Sequence, residues 1–197
     1  SILRLWVNYR EDWKPLPAMN RAFGGARTWE ALEYFERGVA KYLPRVILFY
    51  CGSNDVNFHV TIGSSPAEAI AEIVSNITRF LNAAGDIGAQ VVVASIIKAP
   101  QKRLHNVAIH IIEAVNSEVR IACEALSHAR FVDLNPCLEK EDGSPRNELY
   151  LEDKLHYLPA AYQRIHAALS GTVHRCWTAP HFVRGVYIPD SSVKSKL

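Results

Sequence analysis

Arg45-Val46-Ile47-Leu48-Phe49-Tyr50-Cys51-Gly52-Ser53-Asn54-Asp55 is the stretch on which the reading of this chain turns. Val46 to Tyr50 are all apolar or aromatic, with no polar face. A run without alternation marks a strand buried on both sides, as in a parallel sheet. Gly52 to Asp55 then places turn formers directly after it. Upstream, Thr28–Leu43 reads as a helix with Leu32, Phe35, Val39 and Leu43 on one stripe, stopped by Pro44. Before that, Ala18–Phe23 reads as a short strand ending at Gly24-Gly25.

Downstream the alternation continues. Ser65-Pro66-Ala67-Glu68 has an N-cap serine, proline in the first turn and the returning glutamate of a capping box, so a helix runs from there to about Ala84. Gln90–Lys98 is the next buried strand. Asn106–Ser127 is a helix with Val107, Ile111, Val115 and Val119 on one face. Arg130–Leu134 reads as a last strand and Pro159–Leu169 as a last helix. Strand–helix alternation implies an α/β domain with a doubly wound parallel sheet. Residues 1–170 form that domain in this reading, and 171–197 an extended tail packed on it or trailing from it.

Composition sets the outer bounds. The chain has 197 residues, 49% apolar and 21% charged, with a net charge of +2, which suits one ordinary globular domain. That charge is too small to argue for nucleic acid. The apolar runs are far shorter than the roughly 18 residues a membrane-spanning helix needs. Cys51, Cys123, Cys137 and Cys176 show no CxxC spacing, so they read as buried free thiols rather than a metal site or disulfide framework. No metal or organic cofactor is expected. The compartment stays open, with cytoplasm favoured, and so does the oligomeric state.

Ligands of open parallel sheets bind beyond the C-terminal strand ends. Gly24-Gly25, Gly52 to Asp55 and Asp153-Lys154-Leu155-His156 should all fall on that rim. Asp153 precedes His156 by three residues, so its carboxylate can accept the imidazole Nδ1–H and leave Nε2 as a base. The bland alternative is a capping aspartate beside a surface histidine. Gly25 can turn a backbone N–H, and Asn54 a carboxamide, toward an oxyanion, although both also serve as plain turn formers. The other histidines read as surface or helix-face residues.

In order along the chain, Asn20–Gly25, Tyr50–Asp55 and Asp153–His156 resemble the second, third and fifth sequence blocks of SGNH (GDSL-like) hydrolases. The resemblance implies a flavodoxin-like three-layer fold and serine ester hydrolysis on small acyl or acetyl esters, possible alcohols being sugars or lysophospholipids. It implies Asp153 orienting His156, with Gly25 and Asn54 in the oxyanion hole. Laid on without gaps, Ser1 falls on the nucleophile and adds its own N–H to that hole. The first strand, which precedes the nucleophile in the family, is then missing from the sequence or replaced from elsewhere, Phe182–Ile188 being the one candidate replacement. Arg27 and Trp6 are candidate pocket residues, with core packing the competing role for Trp6. Two other readings remain for Ser1: an arbitrary first residue without a nucleophile's role, or an N-terminal nucleophile that uses its own amine. The competing function is an inactive protein of this fold that binds a carbohydrate or lipid.

Overall fold

The computed structural model describes residues 2–180, 182–183 and 186–187. Short helices α1 (Tyr9–Asp12), α2 (Thr28–Glu33) and α3 (Phe35–Gly38) lead to strand β1 (Val46–Phe49). Then follow α4 (Ser53–Ile62), α5 (Pro66–Asp86), β2 (Gln90–Ala94), α6 (Asn106–Glu124), β3 (Ala129–Val132), α7 (Asn135–Leu138) and α8 (Pro159–Thr178). The strands form a parallel sheet in the order β1-β2-β3, with Ile47 opposite Val91 and Val93 opposite Phe131.

Alternation along the strands feeds two cores. Ile47, Phe49, Val91 and Val93 pack against α5 and α6, where the Phe80 ring stacks on Phe49 at 4.1 Å. Val92 and Ala94 point the other way, onto Trp6, Trp13 and the Ile165–Leu169 face of α8, with Val46 and Leu48 against the same cluster. Helices on both faces make this the three-layer α/β architecture expected.

Several elements differ from expectation. Ala18–Phe23 is not a strand: with β1 it lines an apolar groove of about 560 Å³, and the Asn20 side chain donates to the Leu3 carbonyl at 2.7 Å. Among the described residues β1 is therefore an edge strand, paired with β2 alone. The helix expected over Thr28–Leu43 breaks at Tyr34 and Val39, with Tyr34 folded so closely over Gly38 that a Cβ there would meet its ring at 1.9 Å. Helix α8 runs past Leu169 to Thr178, burying Val173 and Cys176. Phe182–Val183 and Val186–Tyr187 (β4 and β5) pair with each other in a separate antiparallel sheet, and the rest of 181–197 lies outside the described residues.

Candidate active site

The residues after β1 form a helix start rather than a simple turn. Gly52, at φ 110°, is the N-cap of α4, and an added Cβ would meet Ile96 at 2.5 Å. A side chain is excluded both by conformation and by space. Asn54 is thereby carried in the first turn of α4, at the positive end of the helix dipole. Its side-chain amide donates to the Ala26 carbonyl at 2.9 Å. The Cys51 thiol points at the same oxygen from 3.7 Å, and burial pushes that thiol up to about 12.

Ala26 follows Gly25, whose φ of 75° is a left-handed value that glycine reaches without strain. The segment is anchored one turn later. Asp55, buried, accepts from the Thr28 N–H at 2.9 Å and the Thr28 hydroxyl at 2.5 Å, and Asn76 donates to that hydroxyl at 3.1 Å. Burial raises the Asp55 carboxyl above its ordinary range, partly offset by the Thr28 hydrogen bonds. Sequence spacing does not reveal this network, because its members come from three separate segments.

Asp153 and His156 meet as a hydrogen-bonded pair. Asp153 Oδ2 lies 2.6 Å from His156 Nδ1, and Oδ1 accepts the backbone N–H groups of Leu155 and His156, each at 2.9 Å. The bonds to His156 hold the Asp153 carboxyl down to about 2. The tight turn is closed by the Leu151 N–H to the His156 carbonyl at 2.8 Å, with Lys154 left-handed at φ 58°. Beneath it Tyr150, Tyr157 and Tyr162 form an edge-to-face series with ring spacings of 5.2 and 5.8 Å.

Two contacts join the Asp153–His156 turn to the Asn54 helix. The Gln101 N–H donates to the Lys154 carbonyl at 3.0 Å. Next to it, the buried Lys102 ammonium donates to the Ser53 carbonyl at 2.8 Å and to the Asn57 side-chain oxygen. Both lie in the chain following β2, at the C-terminal rim of the sheet.

Ser1 lies outside the described residues. Ile2 is buried, its carbonyl accepts the Tyr162 hydroxyl at 2.8 Å, and it lines the same groove as Gly52, Ser53 and Asn54. Arg27 sits beside this site, its guanidinium 4.3 Å from the Phe58 ring centroid. Trp6 is a core residue, with its indole N–H on Asp12 at 2.5 Å and its ring 5.4 Å from Tyr162.

His59, read as a surface or helix-face residue, lies on α4 but faces inward. It is buried, with Nδ1 3.0 Å from the Ser64 hydroxyl and Nε2 3.4 Å from a Glu72 carboxylate oxygen. This Ser–His–acid set lies at the C-terminal end of α4, where helix carbonyls disfavour an oxyanion. Its role is to close that helix end, where the Ser64 N–H also bonds the His59 carbonyl.

Among the described residues no group of three or more His, Cys, Asp and Glu is placed to hold a metal ion, and no helix is long and apolar enough to cross a membrane.

The described residues thus form a three-layer α/β fold in which residues 101–102 link a hydrogen-bonded carboxylate–imidazole turn to a helix-start carboxamide. The chain belongs to the GDSL-like lipase/acylhydrolase family, whose sequence profile matches residues 4–164. The family points to a hydrolase acting on esters. Among curated relatives, the alpha1 subunit of platelet-activating factor acetylhydrolase IB from Bos taurus is 26% identical over 186 residues, covering 93% of this chain and 75% of the relative. Among solved structures, a GDSL-like lipase from Bacteroides thetaiotaomicron superposes with a TM-score of 0.74 at 20% identity, over 88% of this chain and 84% of that one. An acetylxylan esterase from Geobacillus stearothermophilus gives 0.63 at 12% identity, over 76% and 68%. At these identities the two structures speak for the fold.

Proposed function

We propose that the chain is a serine carboxylic ester hydrolase working through an acyl-enzyme, with Ser1 as nucleophile. The Asp153–His156 pair is the observation that carries this reading. A carboxylate 2.6 Å from Nδ1 fixes the ring tautomer and leaves Nε2 to take a hydroxyl proton. In the first step His156 removes the Ser1 proton as the hydroxyl oxygen attacks the ester carbonyl. The oxyanion is met by the N–H groups of Ser1 and Gly25 and by the Asn54 amide, one of whose two hydrogens remains after the Ala26 bond. His156 then protonates the departing alcohol. Water, activated by the same imidazole, releases the acid and restores Ser1.

Small acyl groups, acetyl above all, are the proposed acids, on a sugar or lysophospholipid-type alcohol. The name of the curated relative, an acetylhydrolase, supports that choice. Arg27 lines the alcohol side in this reading.

The test is p-nitrophenyl acetate hydrolysis together with fluorophosphonate labelling mapped by mass spectrometry. Labelling at Ser1 that disappears in Ser1→Ala and His156→Ala is expected. Turnover that survives both substitutions would sink the assignment.

A further inference from the structure

We propose that Lys102 is a positioning residue, whose buried ammonium holds Asn54 in register with the His156 turn. The inference rests on the hydrolase reading for its catalytic consequence and on geometry for its placement. Lys102 is only 1% exposed, among the most deeply buried side chains described. Its two acceptors, the Ser53 carbonyl and the Asn57 side-chain oxygen, are both neutral. Burying an ammonium against neutral partners is unfavourable, and an apolar side chain of similar volume would fill the space without that penalty. Burial alone already pulls the amine down to about 8.

What the ammonium touches explains its retention. The Ser53 carbonyl belongs to the peptide unit that carries the Asn54 N–H, so the contact falls on the backbone that aims the carboxamide. Asn57 lies one helical turn further on, and gripping both points fixes the rotation of the first turn of α4. The neighbouring Gln101 N–H holds Lys154 in the Asp153–His156 turn. Residues 101–102 thus brace the two halves of the site against each other. A displacement of order 1 Å between oxyanion donor and base is enough to slow an enzyme about a hundredfold.

A structural brace and a positioning residue respond differently to Lys102→Met. Kinetics with p-nitrophenyl acetate should show kcat reduced by about tenfold or more with KM within about twofold, because a donor engaged in the transition state is misplaced. Lys102→Arg should recover part of the loss. In an Asn54→Ala background the same Lys102→Met change should cost less than about twofold, since its intermediary is gone. Full additivity of the two substitutions would overturn the proposal, as would an unchanged kcat.

Placement is read separately in the substrate-free protein by ¹⁵N NMR. The Asn54 side-chain amide signals should shift or double in Lys102→Met, and signals identical to wild type would overturn the proposal whatever the activity. If the wild type hydrolyses no ester, the hydrolase reading fails while this measurement still decides the brace. Lys102→Gln serves the same comparisons should Lys102→Met not fold.

Discussion

Asn54 donates its side-chain amide to the carbonyl of Ala26 across 2.9 Å, tying together the two loops expected to supply oxyanion donors. The bond makes the distance between the Gly25 turn and the α4 start a property of the folded protein rather than of the bound substrate. Preorganisation of that kind is what gives oxyanion holes their effect.

Asn54→Ala should therefore lower kcat about 10²- to 10³-fold with little change in KM. Removing the tether should also destabilise by about 1 kcal/mol, a typical net value for one hydrogen bond. Stopped-flow kinetics and urea unfolding of the variant measure the two effects. Equal kcat in variant and wild type would show that Asn54 is only a tether.

Asp153→Asn keeps the shape of the turn but favours the wrong imidazole tautomer, and kcat should fall by about 10⁴. The Asp153 carboxyl is held down to about 2, so it stays ionised across any ordinary assay range. Because its folded value lies below its unfolded one, the stability it contributes is present above the ordinary carboxylate range and is lost as pH falls through about 2. An inflection in the rate between pH 4 and 9 that survives in Asp153→Asn belongs to another group. Rate profiles of the two proteins decide this.

Lys102 is also lowered, so its stability slope has the same sign, but here the fold disfavours the charged form instead of favouring it. Its amine is lowered from 10.5 to about 8 by burial, so below pH 8 it is charged in both states and the folded state carries the desolvation penalty. Between about 8 and 10.5 the unfolded chain binds more protons, and stability rises with pH. Wild type should gain on Lys102→Met across that window, by at most about 3 kcal/mol. Denaturation curves of both proteins at pH 7, 9 and 10.5 test it, and a constant difference would refute it.

Thr28→Val removes the hydroxyl that donates to Asp55 and accepts from Asn76. With Asp55 buried, the lost bonds should cost about 1–3 kcal/mol. The Ala26 carbonyl loses its anchored neighbour, so kcat should fall as well. A melting temperature equal to wild type would contradict the role given to this network.

Phe80→Ala should cost about 3–5 kcal/mol, since its buried ring stacks on Phe49 and meets Phe35 edge-on at 5.2 Å. Calorimetry gives the value, and a loss below 1 kcal/mol would mean that the core refills the cavity.

The parallel sheet was legible because Val46–Tyr50 and Val91–Ile97 have no polar face, and α5 because Ser65, Pro66 and Glu68 announce it. The Asp153–His156 pair was legible because it is local, three residues within one turn. Helix α4 was not, since Ser53, Asn54, Asp55 and Asn57 mimic a turn and its buried face includes Asp55 and His59 rather than an apolar stripe. Ala18–Phe23 has strand-like residues, but a strand exists only with a partner, and with β1 it lines a groove instead. The Thr28–Asp55–Asn76 and Lys102–Ser53 contacts join residues 27 to 49 apart, beyond any periodicity.

Among the described residues β1 lies at the sheet margin, and only three residues separate its end at Phe49 from the start of α4 at Ser53. Gly52, the cap of α4, is the joint between that strand and Asn54, and it admits no side chain. The placement of the carboxamide is thus written into a single backbone hinge point.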